Sequence, residues 1–370
     1  MPSNNDADVP VTASRYLDDE RFHRSFTLPP DGSRPSELKA TYADFGHRND
    51  ERVLLFCGPL LGSRYVLTTK DRLARRYGVR VVSPDRPGFG GTTDVEPADR
   101  IRVWLDIVRA LLQHLGIRQV SIAGYSGGSV YAMNVLLHLR HLLHPTRPYV
   151  ALCTPWVHPS HSAVSVLKLV GLMPNALVGN YDRLVQVVHG GLGLAFQFSD
   201  LVGSMPSLSG GSDFLAPGAD PDDVALEESL LPELISRFQK EELRGLGKDA
   251  LLLLKRDENP GCWGIWNDYD TLVPSLAQAE RELRTGNSGA VSPLRVDVFF
   301  AESDFMIGTT TAPAWFNNCW RPEQRGDFIN YSSVTIPKTT HDTILDLRYG
   351  VAERIFQAMS NQNVEPSTCL

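Results

Sequence analysis

The sequence predicts an α/β protein: a mostly parallel sheet with helices on both faces, interrupted once by a mainly helical insertion. Three observations carry this prediction. Short buried, β-branched runs alternate with amphipathic helical stretches, the pattern of parallel strands joined by covering helices. One strand, within IRQVSIAGYSGG, ends in Gly124-Tyr125-Ser126-Gly127-Gly128 and leads into the helical pattern VYAMNVLLHLRHLLH. The alternation breaks off after Thr154 and resumes at Leu294, a gap too long for a loop.

Taken in order, Phe22 to Leu28 and Leu38 to Phe45 read as a hairpin around Pro29-Pro30-Asp31-Gly32. Val53 to Cys57 is a buried strand, followed by a helix from about Val66 to Tyr77 and a second buried strand from Val79 to Ser83. From Ile101 to Leu115 the residues Ile101, Trp104, Val108, Leu111, Leu112 and Leu115 fall on one helical face, and Gly116 supplies the stop. Val120 to Ala123 and Tyr149 to Cys153 are the next strands. After the insertion come strands at Leu294 to Ala301 and Tyr331 to Ile336, and a closing helix is expected from Asp342 to Met359. The domain reading is a flexible tail over 1–20, a core over 21–154 and 294–370, and a helical lid over 155–293.

Composition bounds the partners. The 370 residues carry a net charge of −7, and no basic run stands on a helical face with aromatics between, which excludes a nucleic-acid partner from this reading. The apolar stretches are too short for a membrane span, and MPSNNDADVPVTASRYLDDE lacks the basic start and apolar centre of a signal peptide. Five widely spaced cysteines, Cys57, Cys153, Cys262, Cys319 and Cys369, form neither a disulfide framework nor a zinc pattern. The expectation is a cytoplasmic protein without metal or cofactor, with homodimerisation left open.

Ser126 is the candidate nucleophile. G-x-S-x-G between a strand and a helix forms a turn so sharp that the serine takes strained φ/ψ, with its hydroxyl at the carboxyl end of the strand. A serine hydroxyl needs a histidine within hydrogen-bond reach, itself oriented by a carboxylate. Asp304 follows the strand Val296 to Ala301 in the segment AESDFMIG and is the candidate acid, with Glu302 as rival; Asp297 lies inside the strand. His341, in KTTHDT, follows the strand ending at Pro337 and is the one histidine after that acid.

With GYSGG at 124–128, Asp85-Arg86-Pro87-Gly88-Phe89-Gly90 after the fourth strand, ESD at 302–304 and His341, the chain resembles the α/β-hydrolase fold superfamily over nearly its whole length. The DRPGFG segment is similar to the esterase and peptidase-like branch, and the overall character is similar to fungal-type lidded hydrolases of secondary metabolism. The resemblance implies an eight-stranded-type sheet and a structural role for DRPGFG, with Arg86 paired to a nearby acid. It also exposes a departure. Family members carry His-Gly-x after the third strand, where the amide of x binds the oxyanion; here Cys57-Gly58-Pro59-Leu60 places Cys57 at the histidine and a proline without N–H at x. The expected donors are therefore Gly127 and either Leu60, through a shifted loop, or some side-chain group. Losing one donor costs about 10²–10³ in turnover.

The insertion is rich in large apolar groups, among them Leu167, Leu172, Met173, Leu192, Leu194, Phe196, Phe198, Leu201, Met205, Trp263 and Trp266, which point to a bulky hydrophobic small-molecule substrate. Tyr125, Pro59 and Trp156 are expected at the pocket. His158 and His161 are either rim contacts or satisfied loop histidines, and Ser207 to Ser212 is either a hinge or a disordered stretch. Glu227, Glu228, Glu233, Glu241 and Glu242 read as a solvated face or, on the likeness to lidded aminopeptidases, as a hold for a substrate amine. The leading function is cleavage of an ester, thioester or lactone through an acyl-enzyme. Its rivals are non-hydrolytic acid/base chemistry (cyclisation, condensation or C–C cleavage), a prolyl-aminopeptidase-like activity and a non-catalytic binding protein.

Overall fold

A computed structural model of the chain describes residues 12–32, 34, 36–48, 51–164, 175–179, 214–256, 263–286 and 292–360. Its centre is an eight-stranded sheet in the order β1-β2-β4-β3-β5-β6-β7-β8. The strands are β1 (Arg24–Leu28), β2 (Leu38–Gly46), β3 (Val53–Cys57), β4 (Arg80–Pro84), β5 (Ser121–Tyr125), β6 (Tyr149–Cys153), β7 (Leu294–Ser303) and β8 (Ile329–Thr340). β1 and β2 form an antiparallel hairpin joined antiparallel to β4, and every pairing from β4 to β8 is parallel. The chain thus forms the mostly parallel sheet that the alternation predicts, with the eight strands that the resemblance implies.

Side chains alternate across the sheet with period two. Val53, Leu55 and Cys57 of β3, Ile122 of β5 and Val150 and Leu152 of β6 enter one apolar cluster. Leu54, Phe56, Ala123, Tyr125, Tyr149, Ala151 and Cys153 enter the other. β3 and β6 are buried on both faces and apolar throughout. The helices, in chain order, are α1 (Ala13–Leu17), α2 (Asp71–Arg76), α3 (Arg100–His114), α4 (Gly128–His138), α5 (Asn175–Gly179), α6 (Pro221–Lys240), α7 (Gly245–Leu253), α8 (Tyr269–Gly286), α9 (Thr311–Cys319), α10 (Pro322–Arg325) and α11 (Val351–Ser360). The apolar stripes of α3 and α4 fill the first cluster, those of α2 and α11 the second.

Every regular element described between β6 and β7 is helical. The last of them, α8, belongs to the core rather than to a roof: Leu272, Val273 and Leu276 are buried in the same cluster as Val296 and Val298, and Glu280 pairs with Arg140 at 3.0 Å. Trp263 and Trp266 are interior as well. The other apolar residues expected to build the lid, and the Ser207 to Ser212 run, lie outside the described residues.

Three local expectations are corrected. Of the expected tail, residues 12–20 are ordered: Thr12 caps α1, Leu17 is buried, and Arg237 of α6 donates to the Leu17 carbonyl at 2.9 Å. The predicted helix from Val66 is a 3₁₀ turn, Arg64–Lys70, before α2 begins. The closing helix starts at Val351, so His341 stands on a turn instead of opening a helix. There the Thr343 hydroxyl accepts from the Thr340 amide at 2.9 Å, a side-chain bond that competes with helical pairing. Gly350, at φ 72°, separates the 3₁₀ turn Leu347–Tyr349 from α11.

Candidate active site

The corner between β5 and α4 fixes Ser126. Its backbone is left-handed at φ 51°, a conformation that costs a non-glycine residue about 1–2 kcal/mol. The surroundings hold it there: the Ser126 amide donates to the Cys153 carbonyl at 3.0 Å, and the Ser126 carbonyl accepts from the Trp156 amide at 3.2 Å and the Ser129 hydroxyl at 2.7 Å. Gly128 makes the corner feasible. A Cβ at that position would stand 2.1 Å from the Cys57 carbonyl oxygen, so β3 and α4 approach too closely for any side chain.

Three loops at the carboxyl ends of the strands bring the predicted groups together. Ser126 Oγ is 2.9 Å from His341 Nε2, and His341 Nδ1 is 2.8 Å from Asp304 Oδ2. All three residues are at most 5% exposed, which strengthens each charge-assisted hydrogen bond relative to water. The second oxygen of Asp304 accepts the amides of Met306 and Ile307, each at 2.9 Å. That turn fixes the carboxylate so that one oxygen faces the imidazole. Glu302, the rival acid, instead accepts the Lys338 amide at 2.8 Å on an exposed edge.

The loop Gly58–Leu60 lies against the same corner. A Cβ on Gly127 would be 3.5 Å from the Leu60 amide nitrogen and 2.8 Å from Leu253 Cδ1, so the Leu60 backbone and a leucine of α7 both border Gly127. Among the described residues neither the Gly127 nor the Leu60 amide donates a hydrogen bond. Gly127 stands at the start of α4, where backbone N–H groups are without helical partners, and the Leu60 nitrogen lies on the loop facing it. Cys57 is buried and its thiol is pushed up by desolvation, so it is no competing nucleophile.

Two residues expected at the pocket are interior. The Tyr125 hydroxyl donates to the His341 carbonyl at 2.8 Å, and burial pushes its phenol well up, keeping it a neutral donor. The Trp156 indole donates to the Leu253 carbonyl at 3.1 Å, joining the corner to α7. Each aromatic residue carries a polar tip, and burial forces that tip to find a partner inside. Pro59 is buried beneath its loop. His158 and His161 are satisfied by protein: His158 Nδ1 contacts the Ser160 hydroxyl at 2.8 Å, while His161 Nε2 is 3.0 Å from Asp268 and its ring stacks on Trp315.

The five glutamates singled out on α6 and in the segment after it each face a cation. Glu227 is buried, ion-paired with Lys70, and accepts from the Thr69 hydroxyl at 2.9 Å and the Leu347 amide at 2.6 Å. Glu228 pairs with Arg348, Glu233 with Arg237, Glu241 with Arg64 and Glu242 with Arg244. Of the five, Glu241 keeps one buried oxygen, Oε2, without a hydrogen-bond partner among the described residues. Two contributors were not apparent from sequence: Leu253 beside Gly127, and Phe305, whose ring meets His341 edge-on at 5.9 Å. Phe305 adjoins the predicted acid, so its place in AESDFMIG was a usable signal; Leu253, deep in the insertion, offered none. Among the described residues no cluster of His, Cys, Asp or Glu could hold a metal, and no helix is long and apolar enough to cross a membrane.

Residues 53–353 match the model of the Alpha/beta hydrolase family. Among solved structures, the chain is similar to a thermophilic esterase from Thermogutta terrifontis: TM-score 0.52, 16% identity, covering 91% of this chain and 96% of the other. It is similar to an enol-lactonase from Burkholderia xenovorans LB400 at TM-score 0.55 and 11% identity, covering 91% of this chain and 100% of the other. A third is an epoxide hydrolase from Vigna radiata, at TM-score 0.52 and 16% identity, covering 90% and 95%. At these identities the likeness is one of fold. No curated protein matches the chain.

Proposed function

The chain belongs to the alpha/beta hydrolase family, and on that premise we propose that it is a serine hydrolase cleaving an ester, thioester or lactone of a bulky hydrophobic small molecule. The observation that carries the reading is the continuous hydrogen-bonded path from Ser126 Oγ through His341 to Asp304. In this reading Ser126 Oγ attacks the acyl carbon while His341 Nε2 takes its proton. Asp304 holds Nδ1–H and stabilises the imidazolium. The Gly127 and Leu60 amides receive the oxyanion. His341 then returns the proton to the leaving oxygen or sulfur. Water, deprotonated by the same histidine, clears the acyl-enzyme and regenerates the serine. A serine at the elbow does not fit the epoxide-opening chemistry of relatives that attack through an aspartate.

Apolar character near the nucleophile, with Leu253 over Gly127 and Phe305 against His341, supports a hydrophobic acyl group. The pairing of all five acids weighs against amine recognition and hence against the aminopeptidase alternative. On the resemblance to fungal-type lidded hydrolases, the substrate belongs to secondary metabolism, and the lid is the helical insertion before α8.

The test is covalent labelling by a small fluorophosphonate, read by intact mass, on wild type and Ser126→Ala. One adduct on the wild type and none on the variant is the expected result. A folded wild type that takes no adduct overturns the reading. Turnover in heavy-oxygen water then separates hydrolysis from the cyclisation, condensation and C–C cleavage readings, since only hydrolysis puts the label into the released acid.

A further inference from the structure

We infer that Arg86, oriented by Asp249 of the insertion, is the positioning residue that aims the Leu60 N–H as the second oxyanion donor. The inference rests on the serine-hydrolase reading above. Pro59 has no N–H, so the donor on this loop has to come from the peptide unit joining Pro59 to Leu60. The peptides on either side of that unit present their carbonyls to one guanidinium: Arg86 Nη1 donates to the Gly58 carbonyl at 2.5 Å and Nη2 to the Leu60 carbonyl at 3.1 Å. With both flanking peptides pinned, the unit between them cannot rotate freely, and its nitrogen lies on the Gly127 side of the loop, 3.5 Å from where a Cβ on Gly127 would stand.

The guanidinium is itself fixed. Arg86 Nε donates to Asp249 Oδ2 at 2.7 Å, and the guanidinium lies over the Phe89 ring at 4.4 Å. The other Asp249 oxygen takes the Arg100 guanidinium and the Tyr131 hydroxyl. Arg86 and Asp249 are both almost wholly buried. Asp249 sits on α7, so the insertion supplies the carboxylate that holds the clamp, and the hole is assembled from both parts of the chain. Lysine cannot replace the clamp, because a single ammonium does not span two carbonyls while also facing a carboxylate along a second edge.

The test compares R86K with wild type by hydrogen exchange and by kinetics on a p-nitrophenyl ester. R86K is expected to speed exchange of the peptide spanning Gly58 to Gly62 by tenfold or more, with other peptides unchanged. It is expected to lower kcat by about 10²–10³ with KM within threefold, the loss of one oxyanion donor. Inhibition by a trifluoromethyl ketone, which binds as an oxyanion, is expected to weaken by a similar factor. D249N, which leaves the guanidinium but removes its orienting charge, carries the same readouts if R86K does not fold. Unchanged exchange in the Gly58–Gly62 peptide, or a kcat loss under threefold, overturns the inference. Fluorophosphonate labelling of wild type keeps the two readings apart: without an adduct the hydrolase reading falls and takes the donor role with it, whereas an adduct on wild type with unchanged exchange in R86K overturns the inference alone.

Discussion

The Tyr125 hydroxyl donates to the backbone carbonyl of His341 at 2.8 Å, tying the residue before the candidate nucleophile to the residue that would take its proton. The bond spans the inside of the sheet's carboxyl end, 216 residues apart in the chain. Tyr125→Phe removes it with little change in shape. The expected stability loss is about 1–2 kcal/mol, since the His341 carbonyl is left without its donor. Turnover is expected to fall about tenfold with substrate affinity retained, because a freer His341 spends less time facing Ser126. Urea denaturation and steady-state kinetics on one ester check both.

Ser126→Ala abolishes covalent labelling but keeps the strain of the corner, because alanine also has a Cβ at φ 51°. Ser126→Gly removes both. Thermal unfolding is expected to rank the glycine variant above the alanine variant by roughly 1 kcal/mol. Equal stabilities would show that the left-handed turn is not strained.

Asp304→Asn tests the direction of the histidine. Oδ1 accepts two amides, from Met306 and Ile307, so the asparagine oxygen takes that place and its NH₂ faces His341 Nδ1. The imidazole is then forced to carry its proton on Nε2, where it can no longer accept from Ser126. Turnover is expected to fall by about 10⁴ with the fold preserved. A loss under tenfold would exclude this tautomer argument.

Asp249 makes stability depend on acid. Burial pushes its carboxyl up, but Arg100 and Arg86 outweigh burial and hold it below the ordinary carboxylate value. A carboxylate with a depressed native pKa contributes stability that is present above about pH 4 and is lost as pH falls below that. Asp249→Asn is expected to cost about 3–5 kcal/mol at pH 7, leaving two buried guanidinium groups undercompensated. The gap between variant and wild type is expected to narrow from pH 5 to pH 3 in urea titrations. A gap independent of pH would show that Asp249 is not ionised.

Much of the site was legible because its signals are local. Glycines around Ser126 mark a strand-to-helix corner, and Asp304 and His341 each follow a β-rich strand, which places all three at one end of a parallel sheet. The Arg86–Asp249 pair spans 163 residues, and nothing in DRPGFG says which of many acids will arrive. The inward hydrogen bonds of Tyr125 and Trp156 were hidden for a related reason. Proximity to the serine in sequence does not fix side-chain direction, and their polar tips turn inward to buried carbonyls. The start of the closing helix was hidden by Thr340 and Thr343, whose hydroxyls divert the chain into a turn before α11.

Among the carboxylates that join the insertion to the core are Glu227 of α6, against Lys70, Thr69 and Leu347, and Asp249 of α7, against Arg86 and Arg100. Separating a buried carboxylate from its cation costs about 3 kcal/mol or more. Lifting both helices together would therefore be a state reached by roughly one molecule in 10⁴. Such a population is too small to serve as the ordinary route of substrate entry. α6 and α7 are expected to exchange their amides only with global unfolding, on the timescale of the sheet itself, while access to Ser126 is gained by motions that leave both helices seated.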